Sequence, residues 1–212
     1  MKKLVLISQQ GSGTNLFRSF VNSHPDILVS GEIFTRSDRF EYYRRQALDD
    51  KEAVNKYLNE SFEIGDNFDK FSIKELEQGE KAEVLGFDLK YNNLKYPSAI
   101  IDWLKKDPNV YIIHLFRCKG RTFLRQLNEE TFTYNDFEDH IQKVSTAQEH
   151  IRKCFSDETY MEITYEDMTR GYEVTSLPKD FEVKILNFLG IEYKKMELSN
   201  KLVRKDKMKM RY

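Results

Sequence analysis

Short apolar runs and amphipathic stretches alternate along most of the chain. Three runs rich in branched residues are nearly continuous, as expected for strands buried on both faces of a parallel sheet: 4–7, 84–89 and 110–116. Apolar residues at helical spacing follow each run and predict helices beginning near Thr14 and over 97–105 and 121–127. This alternation predicts an open, mainly parallel α/β sheet flanked by helices, with right-handed crossovers.

The alternation resumes in the last third of the chain. Apolar positions three or four residues apart from Phe137 to Phe155 predict the longest helix. Residues 161–165 alternate like a strand, and 181–189 predict a helix that Gly190 ends. Residues 36–81 are rich in acidic and aromatic residues without a clean period. We interpret them as helices and loops inserted on the ligand side of a single domain spanning 1–212.

Composition and charge exclude several classes of protein. With 40% hydrophobic and 33% charged residues, 9 Gly and 4 Pro, the chain is neither collagen-like nor wholly disordered. A formal net charge of −1 gives no chain-wide positive field, so we expect no nucleic-acid partner. Residues 201–212 depart from this balance with six basic residues against one acidic residue. They form either a solvated, frayed tail or a basic strap over an anionic ligand.

Cysteine usage and the length of the apolar runs predict the compartment. Cys118 and Cys154 are too few for a disulfide framework, and the apolar run 4–7 is too short for a signal peptide. No apolar stretch approaches the ~18 residues of a membrane span. We therefore expect a cytoplasmic protein without a membrane span. The cysteines and histidines lack zinc-binding spacing, so no metal is implied, and the oligomeric state is not predicted.

Residues 11–15 lie between the first predicted strand and the first predicted helix. Backbone N–H groups and the positive end of a helix dipole meet a bound group at such a position. Glycine allows close approach of the ligand, and the hydroxyls of Ser12 and Thr14 add hydrogen-bond donors. The pattern predicts an anion site, the alternative being a simple turn and helix cap. A nucleoside-triphosphatase P-loop is excluded because the loop contains no lysine. The glycine fingerprint of dinucleotide-binding folds is also excluded, because the third glycine of that motif is missing here.

Four segments together carry a family resemblance. Residues 12–27 read SGTNLFRSFVNSHPDI and are followed by Gly31 and Glu32. Three further segments follow in order: 114–117 (HLFR), 163–168 (ITYEDM) and 185–191 (ILNFLGI). In this order and spacing they resemble the sulfotransferases that use 3′-phosphoadenosine 5′-phosphosulfate (PAPS), in the bacterial and carbohydrate branch. The resemblance runs from end to end and implies a P-loop NTPase-like α/β fold.

The resemblance also implies which residues bind the donor. The 5′-phosphosulfate of PAPS would lie among loop residues: Gly11, Ser12, Gly13, Thr14 and Asn15. Arg117, after a central strand, and Arg125, in the following helix, would meet the 3′-phosphate.

The chain departs from the family at two of these positions. Gly11 stands where the family usually has a basic residue, and Arg125 stands where the family has a serine. Arg18, Lys90 or the basic tail are candidates to supply the missing charge.

Glu32 is the candidate general base. Sulfuryl transfer to an alcohol requires a proton acceptor for the hydroxyl, and the carbohydrate and bacterial branches often use a glutamate at this position. The alternative is an exposed glutamate at a strand start. Lys90 and Tyr91 end a predicted strand and either contact substrate or are a solvated lysine and a packed tyrosine. His24 and His114 are interpreted as structural.

The resemblance implies transfer of a sulfuryl group from PAPS to a hydroxyl of a carbohydrate or other small acceptor. The desulfated product would be 3′-phosphoadenosine 5′-phosphate (PAP). Two alternatives stay open. A catalytically silent module that binds a nucleotide or anion is favoured by Gly11. A kinase using ATP and Mg²⁺ is disfavoured by the missing loop lysine.

Overall fold

Five parallel strands form the centre of the described part of the molecule. The computed structural model describes residues 1–33, 51–62, 80–91, 98–126, 134–155, 158–169 and 177–197. The strands are β1 (Lys2–Ser8), β2 (Ile27–Glu32), β3 (Val84–Lys90), β4 (Val110–Phe116) and β5 (Tyr160–Thr164). Their order across the sheet is β2-β3-β1-β4-β5, and neighbouring strands pair in parallel. The predicted open α/β fold class is confirmed.

Seven helices accompany the described strands. They are α1 (Thr14–Val21), α2 (Lys51–Glu60), α3 (Ser98–Lys106), α4 (Lys119–Gln126), α5 (Tyr134–Cys154), α6 (Tyr165–Thr169) and α7 (Lys179–Leu189). The predicted helices agree within a few residues, and Gly190 ends α7 in the left-handed conformation, as expected.

Two elements differ from the predictions. Strand β2 was not predicted because it has only three consecutive apolar residues, and its pairing with β3 makes it a strand. Helix α2 lies in the segment 36–81, where helices and loops were expected but no bounds were predicted, because the segment shows no clean apolar period. The strand expected over 161–165 ends one residue early, because the Thr164 hydroxyl accepts the N–H of Asp167 at 3.0 Å and caps α6.

The side chains of the sheet divide into two cores. Alternate residues of the strands, such as Leu4 and Leu6, pack with α1 and α7 on one face. The other face packs against α2, α3 and α5 through residues such as Ile7 and Phe87. Loops at the carboxyl ends of the strands are therefore held by two packed layers of helices.

The corner between α1 and β2 is fixed by polar side chains. Asn22 accepts the N–H of Val29 at 2.8 Å and donates to its carbonyl at 3.0 Å. The buried His24 ring contacts the Glu192 carbonyl at 3.1 Å and accepts the N–H of Asp26 at 3.2 Å. Burial lowers the pKa of His24, which agrees with a neutral, structural histidine.

Two predicted segments fall largely or wholly beyond the described ranges. Of residues 36–81, only 51–62 and 80–81 are described, and the basic tail 201–212 lies outside them. Within the described part of the chain, no helix has the length and apolar character to cross a membrane.

Candidate active site

The loop between β1 and α1 has the geometry of an anion site. Gly11 and Gly13 both have positive φ angles, 83° and 92°, which glycine adopts without strain. Gly13 is the N-cap of α1, so no side chain caps the first N–H groups of that helix. Ser12 is fully buried, and its hydroxyl has no hydrogen-bond partner among the described residues. A buried hydroxyl in that state is costly, which points to a ligand at this loop.

The amine of Lys90 reaches this loop from the end of β3. The side chain is only 8% exposed. Its Nζ donates to Asp88 Oδ2 at 2.6 Å, to Ser8 Oγ at 2.9 Å and to Thr14 Oγ1 at 3.0 Å. A positive charge therefore lies at the first residue of α1, beside a loop that has Gly11 where a basic residue was expected.

A β-bulge turns Glu32 towards the same place. Val29 pairs with Gly86, but Glu32 pairs with Asp88, so β2 contains one more residue than β3 over this interval. The extra residue brings Glu32 to the face of the sheet that carries Lys90. Its Oε1 lies 3.5 Å from Lys90 Nζ, and the side chain is 32% exposed.

Arg18 adds a second cation to the cluster. A Cβ atom built on Gly31 would lie 3.0 Å from Arg18 Nη1, so the guanidinium packs where Gly31 has no side chain. Burial lowers the pKa of Arg18, while the negative charges of Asp88 and Glu32 oppose that shift. Two cations and two carboxylates thus form one group, the charge cluster: Arg18, Glu32, Asp88 and Lys90.

Tyr165, the first residue of α6, connects the loop to Arg117. The Arg117 guanidinium lies 4.1 Å from the centre of the Tyr165 ring, in a cation–π contact. A Cβ atom on Gly13 would lie 2.3 Å from Cδ2 of the same ring. Tyr165 therefore lies between the loop and the arginine expected to bind phosphate. Arg125 belongs to α4, and its side chain lies outside the described residues.

Tyr91 points away from the charge cluster. Successive side chains of a strand face opposite sides of the sheet, so Lys90 faces α1 and Tyr91 faces α5. Tyr91 lines a cavity of about 430 Å³ together with residues of α5: Gln142, Lys143, Thr146, Ala147, His150 and Ile151. The structure therefore brings Thr14, Glu32 and Lys90 together, but not Tyr91.

A chain of hydrogen bonds lies under α5. Tyr160 donates to Glu162 Oε1 at 2.7 Å, and Arg152 holds the same carboxylate at 2.6 and 3.1 Å. The single hydrogen of the Tyr160 hydroxyl goes to Glu162, so its oxygen accepts from Nδ1 of His114 at 2.7 Å. Nε2 of His114 then carries no hydrogen and accepts from the Tyr91 hydroxyl at 2.6 Å. Burial lowers the pKa of His114 to about 4. The histidine is neutral and structural.

Buried His114 should make stability depend on pH. In the unfolded chain histidine titrates near pH 6.5, so the unfolded state gains a proton first as the pH falls. We expect this group alone to remove about 2 kcal/mol of unfolding free energy between pH 7 and pH 4.5. Denaturant unfolding of wild type and His114→Gln at both pH values measures it. An equal loss in both proteins would contradict the assignment.

Comparisons with known proteins identify the fold. Neither protein-family models nor curated protein sequences match the chain. The sulfotransferase domain of the Synechococcus PCC 7002 olefin synthase is similar, with a TM-score of 0.53 at 15% identity over 91% of this chain and 74% of that one. The sulfotransferase domain from the curacin biosynthetic pathway gives 0.55 at 15% identity over 90% and 74%. A sulfotransferase from Alicyclobacillus acidocaldarius gives 0.54 at 14% identity over 97% and 92%.

These structural similarities show that the chain has the sulfotransferase fold. They confirm, at the level of the fold, the resemblance carried by residues 12–27 and the later segments.

Proposed function

We propose that the protein transfers a sulfuryl group from PAPS to a hydroxyl of a carbohydrate or other small acceptor and releases PAP. The observation that carries this proposal is the position of Lys90, whose amine contacts Thr14 in the anion-binding loop with Glu32 3.5 Å away. An anion site, a fixed cation and a carboxylate are the groups that sulfuryl transfer to an alcohol requires. The sulfotransferase fold supports this interpretation.

The loop residues fit the 5′-phosphosulfate of the donor. The orphaned Ser12 hydroxyl and the uncapped N-terminus of α1 provide donors that an anion satisfies. Gly11 and Gly13 allow the backbone to approach it, and Thr14 and Asn15 begin the helix at the same point. In our proposal these five residues hold the reacting end of PAPS.

Arg117 and Arg125 are proposed to bind the 3′-phosphate. A guanidinium suits a phosphate because it donates two parallel hydrogen bonds. The Tyr165 ring supports Arg117 from one side and contacts the loop on the other, which favours a fixed distance between the two phosphate sites.

Glu32 and Lys90 are proposed to carry the chemistry. The Glu32 carboxylate takes the proton of the acceptor hydroxyl as its oxygen forms a bond to sulfur. The bond from sulfur to the bridging oxygen breaks, and its electron pair remains on PAP. Lys90 stabilises the negative charge that develops on that oxygen. Proton, sulfuryl group and electron pair are all accounted for without a metal.

Lys90 also bears on the silent-module alternative. That alternative rests on Gly11, which leaves the loop without its expected basic residue. The Lys90 amine, 3.0 Å from Thr14 Oγ1, brings an equivalent charge from a neighbouring strand. This contact favours a working enzyme over a module that only binds.

Tyr91 stays a proposed acceptor contact, for a part of the acceptor remote from the hydroxyl that reacts at Glu32. The cavity beside it, about 430 Å³, is within the range of small-molecule pockets. Its hydroxyl is bonded to His114, so the ring rather than the hydroxyl would meet an acceptor. Residues 36–81, interpreted as helices and loops on the ligand side, lie mostly beyond the described residues.

Calorimetric titration with PAP tests the proposal. We expect wild type to bind PAP with micromolar affinity and ATP with Mg²⁺ far more weakly. Arg117→Ala should weaken PAP binding by about 10- to 100-fold, because it removes hydrogen bonds to a charged phosphate. Arg121→Ala, an exposed arginine of α4, is the matched control and should bind like wild type. Preference for ATP would favour the kinase alternative, and no binding of either nucleotide would overturn the donor site.

A further inference from the structure

Asp88 is a buried carboxylate that the proposed chemistry does not use. It lies two residues before Lys90 in an otherwise apolar strand and is only 1% exposed. Its Oδ2 accepts from Lys90 Nζ at 2.6 Å, and its Oδ1 accepts from Ser8 Oγ at 3.4 Å. Ser8 pairs directly with Lys90 across β1 and β3. A buried charge survives only with such partners, so Asp88 and Lys90 depend on each other.

The hydrogen-bond directions around Lys90 follow from its chemistry. An ammonium group only donates, so the hydroxyls of Ser8 and Thr14 accept from Lys90. The hydrogen of Ser8 is then directed to Asp88. The hydrogen of Thr14 is directed away from the amine, so it is available to an anion bound in the loop. Asp88 thus influences the orientation of a loop hydroxyl that it does not touch.

Asp88 also competes with Glu32 for the same amine. The contact from Lys90 Nζ is 2.6 Å to Asp88 but 3.5 Å to Glu32. If the Asp88 charge is removed, Glu32 becomes the nearest carboxylate to a mostly buried ammonium, and Coulomb attraction draws the two together. A tight ion pair would occupy both groups that the proposed reaction uses.

We propose that Asp88 is a positioning residue that holds the Lys90 ammonium against Thr14 and keeps it from closing on Glu32. This inference rests on the proposed sulfotransfer. It predicts an unusual separation of binding from turnover, because neutralising Asp88 leaves a charge cluster with two cations and one carboxylate. An anionic nucleotide is still attracted to that cluster, whereas the reacting groups are misplaced.

The test compares Asp88→Asn with wild type. Asparagine keeps the volume of the side chain and can still accept from Lys90. We expect kcat to fall by about 10- to 100-fold, as for loss of a preorganised electrostatic contact. The dissociation constant for PAP should stay within about threefold, since the remaining cluster is more positive. Asp139→Asn, which changes an exposed aspartate of α5, should leave both unchanged.

Two further measurements separate positioning from damage to the fold. In a Glu32→Gln background, adding Asp88→Asn should reduce kcat much less than in wild type, because residue 32 then has no charge to draw Lys90 away from Thr14. A crystal structure of Asp88→Asn should place Lys90 Nζ closer to Glu32 than to Thr14.

Several outcomes would overturn the inference. One is that Asp88→Asn keeps the wild-type kcat, and another is that it loses PAP affinity and kcat equally. A third is that the effects of Asp88→Asn and Glu32→Gln on kcat are additive, and a fourth is that Lys90 does not move in the crystal structure of Asp88→Asn. If wild type itself fails to bind PAP, the proposed function fails instead. The position of Lys90 in the Asp88→Asn crystal structure then still decides whether Asp88 holds the amine.

Discussion

Lys90→Met is expected to lower kcat by about 10²- to 10³-fold, the effect of removing one preorganised donor from a developing negative charge. Methionine retains the length of the side chain but removes the ammonium that contacts Thr14 at 3.0 Å. Affinity for PAP should fall only about tenfold, because the loop and Arg117 remain. Steady-state sulfotransfer with a panel of hydroxyl acceptors, beside calorimetric titration with PAP, measures both effects.

The same substitution should destabilise the protein. It leaves the Asp88 carboxylate, 1% exposed, without its closest cation. Breaking a buried ion pair from one side costs about 3–5 kcal/mol. We therefore expect a clearly lower unfolding free energy by denaturant titration, and loss of turnover in this variant alone would be ambiguous.

A paired variant removes that ambiguity. Lys90→Met with Asp88→Asn eliminates both charges, so stability should largely return while turnover stays low. Lys90→Arg keeps the positive charge and should retain part of the activity. A double variant that folds, binds PAP and turns over at the wild-type rate would exclude Lys90 from the chemistry.

The sequence predicted the secondary structure around the candidate site. Strand, glycine loop and helix follow one another within residues 2–21, so hydrophobic period and turn residues suffice to locate the loop. Lys90 and Arg117 were located at strand ends for the same reason. In a parallel sheet all carboxyl ends meet at one edge, which predicts that such residues share a region.

What the sequence could not predict depends on contacts between distant residues. Lys90 and Thr14 are separated by 76 positions, and no local pattern indicates that their side chains touch. The bulge in β2 changes which face Glu32 occupies, and a simple alternation assigns it to the wrong side. The sequence did not single out Asp88, because one acidic residue in an apolar run does not reveal which side chain it contacts. The only signal was its spacing of two from Lys90, which puts both on one face.

The burial of His114 illustrates the same limit in the other core. Its position inside an apolar strand predicted a structural histidine. Its hydroxyl partners, Tyr91 and Tyr160, lie 23 and 46 positions away and come together only through strand pairing. The structural role of His114 could therefore be predicted from its own position in the sequence. Its hydrogen-bond partners could be identified only from the strand pairing of the whole sheet.

Gly13→Ala is expected to reduce PAP affinity by more than about 100-fold, since both proposed phosphate sites depend on that residue. Alanine strongly disfavours the φ of 92° found at Gly13. Its Cβ would also lie 2.3 Å from Cδ2 of Tyr165, closer than two carbon atoms approach. Either the loop changes its conformation or the Tyr165 ring moves, and Arg117, which stacks on that ring at 4.1 Å, moves with it.

A glycine of α4 provides the control for this substitution. Among the described residues, nothing beyond the neighbouring backbone of α4 lies within 4 Å of a Cβ built on Gly120, and helical backbone favours alanine over glycine by roughly 0.5–1 kcal/mol. Gly120→Ala should therefore bind PAP like wild type and unfold at equal or higher denaturant concentration. Adding Tyr165→Ala to Gly13→Ala relieves the steric overlap but not the backbone strain, and it removes the support of Arg117. We expect no recovery of binding, and a double variant that binds PAP normally would show that Tyr165 only obstructs the loop and does not position Arg117.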